Sequence, residues 1–288
     1  MKLALGTAQF GMTYGIANTD GKVTEQAAKK ILHRAKEAGI NILDTAAGYG
    51  SSEYILGKIG INDWRIVTKL PALPEECLDV SDWVNEQFTT SLKKLGVRNV
   101  SSLMLHRPIQ LLEPKGQELW SAIQTLKKEG LVKKIGYSIY SPDELDALWD
   151  RFQPDIIQSP YNIIDQRLKT SGWLDQLDEV GVEVHIRSIF LQGLLLLGLD
   201  DRPDRFFKWN KLWRQWDNWL SDNQLTAIQV CINFALSESK ISHVVVGVDN
   251  IGQLNEVLDA IDMRLDCFPN DMSMSDLELI NPSNWSMN

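Results

Sequence analysis

Cysteine and histidine are both scarce in this chain of 288 residues, which holds three of the first and four of the second. The three cysteines lie far apart and lack the paired spacing of a disulfide framework, so we expect free thiols in a reducing compartment. The histidines show none of the short spacings of a zinc site, so no metal is expected. The residues concerned are Cys77, Cys231, Cys267, His33, His106, His185 and His243.

Excess basic charge and long apolar runs are also missing. A net charge of −9 at pH 7 argues against a nucleic acid or an acidic lipid surface as a partner. No stretch reaches the ~18 consecutive apolar residues that a membrane span requires. The opening MKLALGTAQFG has too few apolar residues for a secretion signal. These features predict a cytoplasmic protein whose partner is a small molecule, and they leave the oligomeric state open.

Strand-like runs alternate with helical patterns along the whole chain, as in proteins built from βα units. There are eight such runs, the number that closes a parallel barrel, whereas an open doubly wound sheet would carry the fingerprint GxGxxG after its first strand. No linker rich in proline, glycine or serine divides the chain. We therefore predict an α/β fold, a (β/α)8 TIM barrel, in one domain over residues 1–288. The runs are residues 3–7, 40–45, 65–70, 101–106, 132–138, 155–161, 182–188 and 242–248.

Helices are predicted at three further places. Apolar residues recur at helical spacing between residues 27 and 38, and Gly39 follows where a left-handed cap is needed. The sequence Ser141-Pro142-Asp143-Glu144 predicts a capping box. Residues 206–220 carry four tryptophans at helical spacing, which favours packing against the barrel over stacking on a sugar or an aromatic substrate. These rings are Trp209, Trp213, Trp216 and Trp219.

Four chemically capable side chains stand at or just past the ends of three consecutive runs. Asp44 and Tyr49 lie at the second, Lys69 at the third and His106 at the fourth. Enzymes built on a parallel (β/α)8 barrel carry out their chemistry at the C-terminal rim of the barrel. Singly, Asp44 could cap a turn, Tyr49 could be a surface ring and His106 could be structural. Lysine is almost never buried without a partner, so Lys69 resists such an explanation, and the four together predict a catalytic site.

These residue types suit the reduction of a carbonyl group. A hydride delivered to a carbonyl carbon leaves negative charge on the oxygen, which a proton donor must neutralise. A free phenol titrates near pH ~10, and an ammonium group held by a carboxylate would lower that pKa. We therefore expect Tyr49 to be the general acid, Lys69 to lower its pKa and Asp44 to hold Lys69. His106 would then orient and polarise the carbonyl by a hydrogen bond.

The order and the surroundings of these four residues resemble the aldo-keto reductase family. NILDTAAGYGSSE, RIVTKL and SSLMLHRP carry the resemblance, which extends from LGTAQFG at residues 5–11 to NPSNW at residues 281–285. It implies reversible reduction of an aldehyde or ketone, such as a sugar or another small carbonyl compound. It also implies a nicotinamide dinucleotide as the cofactor.

The resemblance further implies where that cofactor binds. Ser138 and Gln158 match the positions that hold the nicotinamide carboxamide, although both could simply cap strands. Residues 187–195 match a loop that touches the pyrophosphate, and residues 244–258 match the strand and helix that hold the adenosine phosphate end. The expected cofactor contacts are Gly6, Thr7, Asp44, Ser138, Gln158, Arg187, Ser188, Phe190, Gln192, Gly193, Gly247, Asp249 and Gln253.

Three positions depart from the family's pattern. Ile139 replaces an asparagine that would bond the carboxamide. Arg187 stands where an aromatic ring often stacks on the nicotinamide, and its charge suggests that it holds a carboxylate or phosphate of the substrate. Asp249 stands where relatives that prefer NADPH often place a basic or hydroxyl residue, and its carboxylate would repel a 2′-phosphate. Family habit favours NADP(H) and Asp249 favours NAD(H), so we predict weak discrimination between them.

Two other functions remain open at this point. A non-catalytic relative of the same fold could act as a binding or regulatory subunit. A barrel lyase, such as an aldolase, or an isomerase could use Lys69 to form a Schiff base. The substrate cannot be named from the sequence, because the loops that build such pockets diverge freely. We expect Phe10, Tyr14, Arg107 and the tryptophan-rich segment to line the pocket.

Overall fold

Eight parallel strands close into a barrel in which each strand pairs with the next and β8 pairs with β1. The structure, a computed structural model, describes residues 1–285. The predicted (β/α)8 fold is confirmed, and every strand lies within two residues of its predicted run. The strands are β1 (Leu3–Gly6), β2 (Ile42–Asp44), β3 (Arg65–Leu70), β4 (Val100–Leu105), β5 (Val132–Ser138), β6 (Ile156–Pro160), β7 (Glu183–Arg187) and β8 (His243–Gly247).

Helices fill the connections between the strands. No helix within residues 1–285 is long and apolar enough to cross a membrane. The α-helices are α1 (Ala8–Gly11), α2 (Glu25–Glu37), α3 (Ser52–Ile59), α4 (Val80–Leu95), α5 (Gly116–Lys128), α6 (Asp143–Leu148), α7 (Arg167–Thr170), α8 (Trp173–Glu179), α9 (Asn210–Asn223), α10 (Ala227–Ser237), α11 (Ile251–Ile261) and α12 (Leu277–Ile280). Short 3-10 helices cover Pro108–Leu112, Leu191–Leu196, Leu199–Asp201, Asp204–Trp209 and Pro282–Asn284.

The first predicted helix has the expected ends. The Thr24 side chain accepts a hydrogen bond from the Ala27 N–H at the start of α2. Beyond its end Gly39 adopts φ +82°, the left-handed conformation that glycine reaches without steric cost. Ala28, Ile31, Leu32 and Ala35 of α2 are buried in the core and Ala27 is half-buried, so both the periodicity and the cap prediction are confirmed.

The capping box predicted at α6 is only half formed. The Glu144 carboxylate accepts a hydrogen bond from the Ser141 N–H at 3.0 Å, as predicted. The Ser141 hydroxyl, however, lies 3.2 Å from the Asp143 carboxylate and caps no backbone group of α6. The helix is assigned from Asp143, one residue later than the sequence pattern suggested, although Pro142 already has helical angles. The prediction for Ser141 is therefore wrong.

The inner face of the barrel is apolar in the middle and polar at both ends. Successive strand residues point to opposite faces, so residues two apart share a face. Asp44 follows the inner residue Ile42 by two positions, and Lys69 follows Val67 in the same way. This places the polar side chains directly above an apolar plug. The plug consists of Ala4, Ile42, Val67, Met104, Ile156 and Val245.

The opposite, N-terminal end of the barrel holds a cluster that the sequence spacing hid. Potential metal-ligating atoms of Glu183, His185 and His243 lie within 4.8 Å of one another, because β7 and β8 are neighbours. His185 Nε2 and Glu183 Oε1 are 2.6 Å apart, which is a hydrogen-bond distance. Lys134 and Arg65 also pair with Glu183. Two cations beside the carboxylate favour an internal ion-pair network at this end.

The tryptophan stripe packs inside the protein, as the favoured interpretation predicted. Trp213 and Trp216 on α9 are fully buried in a second apolar cluster outside the barrel. Their indole N–H groups donate to the carbonyls of Phe206 and Leu195 at 3.0 and 3.1 Å. The alternative, a stacking surface for a substrate, is wrong for these two rings because they have no exposed face.

Candidate active site

The strand ends bring three of the four predicted catalytic residues to one rim. Asp44 is the last residue of β2, Lys69 is the fifth residue of β3, and His106 directly follows β4. Tyr49 lies in the loop between β2 and α3. The β2–β3 and β3–β4 ladders set these residues side by side, so their proximity follows from strand pairing.

A buried ion pair forms the base of the site. Lys69 Nζ donates to Asp44 Oδ1 at 2.7 Å and to the Thr45 carbonyl at 3.1 Å. The two charged side chains are 0% and 4% exposed. The other oxygen of Asp44 accepts a hydrogen bond from Gln158 Nε2 at 2.7 Å, and Gln158 Oε1 lies 3.5 Å from the Ser138 hydroxyl. Asp44 therefore fixes both the lysine and the glutamine.

The loop that carries Tyr49 is fastened to the strand ends. The Ser52 hydroxyl donates to the Thr7 carbonyl at 2.8 Å and lies 3.1 Å from the Thr45 hydroxyl. On its other side Gly11 approaches so closely that a Cβ there would lie 1.7 Å from the Tyr49 carbonyl oxygen. Only glycine leaves this space, so Gly11 sets the position of the tyrosine loop. No sequence feature marked Gly11 for this role.

Tyr49 sits between the lysine and the histidine. Lys69 Nζ lies 5.3 Å from the centre of the phenol ring. The His106 ring meets the same phenol edge-on, with 5.7 Å between the ring centres. The structure thus brings together all four side chains that the sequence singled out.

The electrostatics of Tyr49 differ from the expectation. Burial raises the pKa of the phenol well above its usual value, the Asp44 carboxylate raises it further, and the Arg187 guanidinium lowers it. The effect of Lys69 on this pKa stays a prediction. Asp44 is in direct contact with Lys69 and balances its charge, whereas no carboxylate within residues 1–285 forms an ion pair with Arg187.

The other two titratable groups are also shifted by burial. Burial lowers the pKa of Lys69, although Asp44 raises it in part. Burial lowers the pKa of His106 to about 4, and the charges of Lys69 and Arg187 act in the same direction. His106 is therefore a neutral imidazole at neutral pH, able to donate one hydrogen bond.

A cavity of about 420 Å³ opens beside Tyr49 and runs along the rim past β7 and β8. Most of the predicted cofactor contacts line it, whereas Ser138 and Gln158 are buried and are not among the lining residues. Three polar residues that were not among the predicted contacts also line it, namely Gln9, Asn18 and Glu256. The predicted residues on its wall are Gly6, Thr7, Asp44, Arg187, Ser188, Phe190, Gln192, Gly193, Gly247, Asp249 and Gln253.

The loop after β7 has a strained backbone. Ser188, Leu191 and Gln192 adopt φ values of 60°, 48° and 53°, and Gly193 adopts 93°. Non-glycine residues avoid this region unless their surroundings enforce it, and such strain concentrates at ligand sites. The Asn162 side chain helps to enforce it by donating to the Ser188 carbonyl at 3.0 Å.

The loop after β8 presents a carboxylate that is held in place. Asp249 Oδ1 accepts a hydrogen bond from Asn18 Nδ2 at 2.7 Å, and Oδ2 lies 3.4 Å from Gln253 Nε2. Asn250 caps α11 by accepting from the Gln253 N–H. The free N–H groups and the dipole of such a helix start favour a bound anion. The turn residues around Asn18 gave no sequence signal for this contact.

Residues 14–18, which follow α1 and which we call the strap, form part of the cavity wall. The Ile16 N–H donates to the Gln192 carbonyl at 3.0 Å. Ala17 packs so tightly on Gly193 that a Cβ on the glycine would lie 2.6 Å from the Ala17 Cβ. With the Asn18 contact to Asp249, the strap joins the loop after β7 to the loop after β8.

Hydrogen bonds and a ring contact hold the Arg187 side chain in place at the cavity wall. Its guanidinium donates to the Ile139 carbonyl at 2.9 Å, to the Ser188 hydroxyl at 3.2 Å and to the Ser138 hydroxyl at 3.4 Å. It also lies over the Tyr140 ring, 4.7 Å from its centre. The hypothesis that Arg187 holds an acidic group of the substrate stays a prediction.

The residues expected to line a substrate pocket divide in the structure. Tyr14 lines the cavity as predicted. Phe10 is fully buried in the barrel's apolar core, because α1 turns its ring inward, so that prediction is wrong. Arg107 points to solvent and pairs loosely with Glu113 at 4.0 Å, so it too is absent from the cavity wall.

The fold and the site together define a class: a (β/α)8 barrel with a ligand cleft across its C-terminal rim and a phenol above a buried ion pair. The comparison with protein families agrees. A model of the Aldo/keto reductase family matches residues 2–274, and the chain belongs to this family.

Curated relatives are distant. The chain is 31% identical over 215 residues to aldo-keto reductase str7 of Strobilurus tenacellus, covering 70% of this chain and 61% of that protein. It is 28% identical over 204 residues to oxidoreductase sirO of Leptosphaeria maculans, with shares of 67% and 61%. The matches thus span about three fifths of the length of these two relatives. The NADH-specific methylglyoxal reductase of Escherichia coli is 23% identical over 299 residues, with shares of 92% and 90%.

Solved structures share the fold. The holo form of an aldo-keto reductase from Bacillus halodurans superposes with a TM-score of 0.71 at 22% identity, covering 92% of this chain and 88% of that one. At this identity the likeness concerns the barrel and its surrounding helices.

Proposed function

We propose that this protein reduces the carbonyl group of a small aldehyde or ketone with a nicotinamide dinucleotide as hydride donor, and that Tyr49 is the general acid. The observation that carries the proposal is the position of Tyr49. It stands at the wall of the cavity, directly above the buried Lys69–Asp44 pair. Membership of the aldo/keto reductase family supports the reaction type.

The cavity fits a dinucleotide by the chemistry of its walls. The strained loop at residues 188–193 and the start of α11 offer backbone N–H groups to phosphates. The bound nicotinamide would supply the hydride.

The residues around Tyr49 would guide the proton. The raised pKa of Tyr49 keeps the phenol protonated at neutral pH, so the proton is available for the carbonyl oxygen. Neutral His106 can donate a second hydrogen bond to that oxygen. Lys69 and Arg187 both place positive charge near the site where the phenolate forms.

The Schiff-base alternative is disfavoured by the position of Lys69. Its amine is fully buried, donates to Asp44 and Thr45, and is absent from the cavity wall. A carbonyl compound would have to break the ion pair to reach it. The regulatory alternative shares the fold, and a turnover assay separates it from the proposal.

NADH is the cofactor that the cavity supports best. Arg187 beside Tyr49 is the sole cation among the described residues that line the cavity, whereas Asp249 just before α11 and Glu256 within it place carboxylates on the wall. A 2′-phosphate there would meet negative charge without a partner. The Escherichia coli relative that is named NADH-specific supports the same choice.

Loss of the phenol tests the proposed acid. Wild-type protein should oxidise NADH in the presence of a panel of aldehydes that includes methylglyoxal, and Tyr49→Phe should lower kcat by about 100-fold or more. Tyr54→Phe is a matched control, because Tyr54 is an exposed phenol on neighbouring α3. Near wild-type turnover by Tyr49→Phe would disprove the assignment. If borohydride instead trapped substrate on Lys69, the lyase function would replace it.

Charge reversal at Asp249 tests the cofactor. Asp249→Arg should shift the ratio of kcat/KM for NADPH over NADH by about tenfold toward NADPH, mainly through KM. Asp259→Arg makes the same charge change at an exposed site of α11 and should leave the ratio unchanged. A wild-type enzyme more than about a thousandfold selective for NADPH would contradict the electrostatic reasoning.

A further inference from the structure

Arg187 is a fixed positive charge at the cavity wall, and no carboxylate in the described part of the chain balances it. Its N–H groups donate to Ile139, Ser188 and Ser138, and one face of the guanidinium lies on Tyr140. None of these partners carries a negative charge. Within residues 1–285 no aspartate or glutamate forms an ion pair with Arg187.

The charges around Tyr49 sum to plus one. Asp44 and Lys69 cancel, since their charged atoms are 2.7 Å apart. His106 is neutral at neutral pH. The uncompensated charge is that of Arg187, which acts on Tyr49, Lys69 and His106 alike.

Hydride transfer changes the charge of the cofactor ring. A bound dihydronicotinamide would supply a hydride, with its electron pair, to the carbonyl carbon, and Tyr49 would pass its proton to the carbonyl oxygen. The nicotinamide ring is neutral in the reduced dinucleotide and carries one positive charge in the oxidised one. Tyr49 and Arg187 line the same cavity, so the residues that would hold the reacting ring include a cation.

We propose that Arg187 makes the cavity select between the two oxidation states of the cofactor, so that it binds the neutral reduced ring in preference to the cationic oxidised ring. This inference rests on the proposed function. Its physical cause is repulsion between two positive charges in a partly buried site, which is worth about tenfold or more in affinity.

The selection has a consequence for turnover. Arg187 weakens the hold on the oxidised form, so this product leaves readily and inhibits the next cycle little. A planar guanidinium can still lie against the neutral ring, as it does against Tyr140. The residue therefore adapts the site to reduction in the presence of much oxidised cofactor.

Binding measurements test the inference without turnover. We would measure the Kd of NADH, NAD⁺ and ADP-ribose by isothermal titration calorimetry for wild type, Arg187→Met and Arg187→Lys. In wild type, NADH should bind more tightly than ADP-ribose, whereas NAD⁺ should bind with an affinity close to that of ADP-ribose. In Arg187→Met the ratio of the NAD⁺ Kd to the NADH Kd should fall about tenfold or more, mainly because NAD⁺ binds more tightly. Arg187→Lys keeps the charge and should keep most of the ratio.

The controls separate this inference from the proposed function. Arg98→Met removes one positive charge from an exposed position and should leave the ratio unchanged. A ratio in Arg187→Met within twofold of the wild-type ratio would overturn the role of Arg187. If Arg187→Met does not fold, the affinities of the wild-type protein decide. The role of Arg187 is also overturned if NAD⁺ and NADH exceed the affinity of ADP-ribose by the same factor in wild type. Failure of wild type to bind any of the three ligands would instead overturn the proposed function.

Discussion

The buried pair of Lys69 and Asp44 gives the sharpest prediction for stability. Asp44→Asn leaves the Lys69 ammonium buried with the Thr45 carbonyl as its one remaining acceptor among the described residues. An uncompensated charge in this position costs about 3–5 kcal/mol of unfolding free energy. At about 2–4 °C per kcal/mol, the midpoint of thermal unfolding should fall on the order of 10 °C.

Substitution of the partner residue, Lys69, should lower the free energy of unfolding by less. Lys69→Met leaves the Asp44 carboxylate with the hydrogen bond from Gln158 Nε2 at 2.7 Å. The double variant removes both charges, so its loss should be smaller than the sum of the two single losses by about 2 kcal/mol. This coupling isolates the pair from the packing of its neighbours.

Urea denaturation at pH 7, followed by tryptophan fluorescence, measures all three free energies. The exposed pair of Lys36 and Asp63 is the matched control, with the same type of contact at 2.8 Å and side chains that are 52% and 79% exposed. Asp63→Asn should change stability little, because solvent screens such a pair. If Asp44→Asn proves as stable as Asp63→Asn, the burial argument for the base of the site is refuted.

Three further outcomes are expected. His106 has a pKa of about 4, so NMR titration of its ring should show no protonation near pH 6.5, and a pH–rate limb there that disappears in His106→Gln would contradict this. Gly11→Ala should lower kcat by displacing the Tyr49 loop. As a control, Gly39→Ala changes a left-handed cap with no other atoms nearby and should reduce only the stability. An unchanged kcat in Gly11→Ala would refute the positioning role of Gly11. Hydrogen bonds from its histidine partners hold the pKa of Glu183 below its usual value of 4.5. The stability that this carboxylate contributes is therefore present above that pH and is lost as the pH falls. The free energy of unfolding should fall more steeply with acid in wild type than in Glu183→Gln, and equal slopes would contradict this prediction.

Much of the barrel was predictable from local pattern. Alternating strand and helix signals predicted eight strands, and each was found within two residues of its run. The rim position of Asp44, Lys69 and His106 followed from the same pattern, because parallel strands end at one edge. Helix boundaries and helix caps were predicted less accurately. At α6 the Ser141 hydroxyl turned to Asp143, a choice between nearby partners that the sequence does not settle.

Contacts between distant segments were decided by the tertiary structure. Asn18 reaches Asp249 across 231 positions of sequence, and Gly11 meets the Tyr49 loop through backbone atoms that carry no side-chain signal. Phe10 looked like a pocket residue, yet α1 turns its ring into the core. Such outcomes depend on how segments are placed relative to one another, and residue identity does not encode that placement locally.

The sequence by itself determined which chemical groups the site contains: an acid, a phenol, an amine and an imidazole at the ends of strands β2 to β4 and in the loop after β2. Only the tertiary structure decided their charge states. Burial raises the pKa of Tyr49 and lowers that of His106, and Asp44 balances Lys69 so that Arg187 remains as the uncompensated cation. The physical reason is that a pKa depends on desolvation and on the distances to other charges, and both are properties of the folded chain.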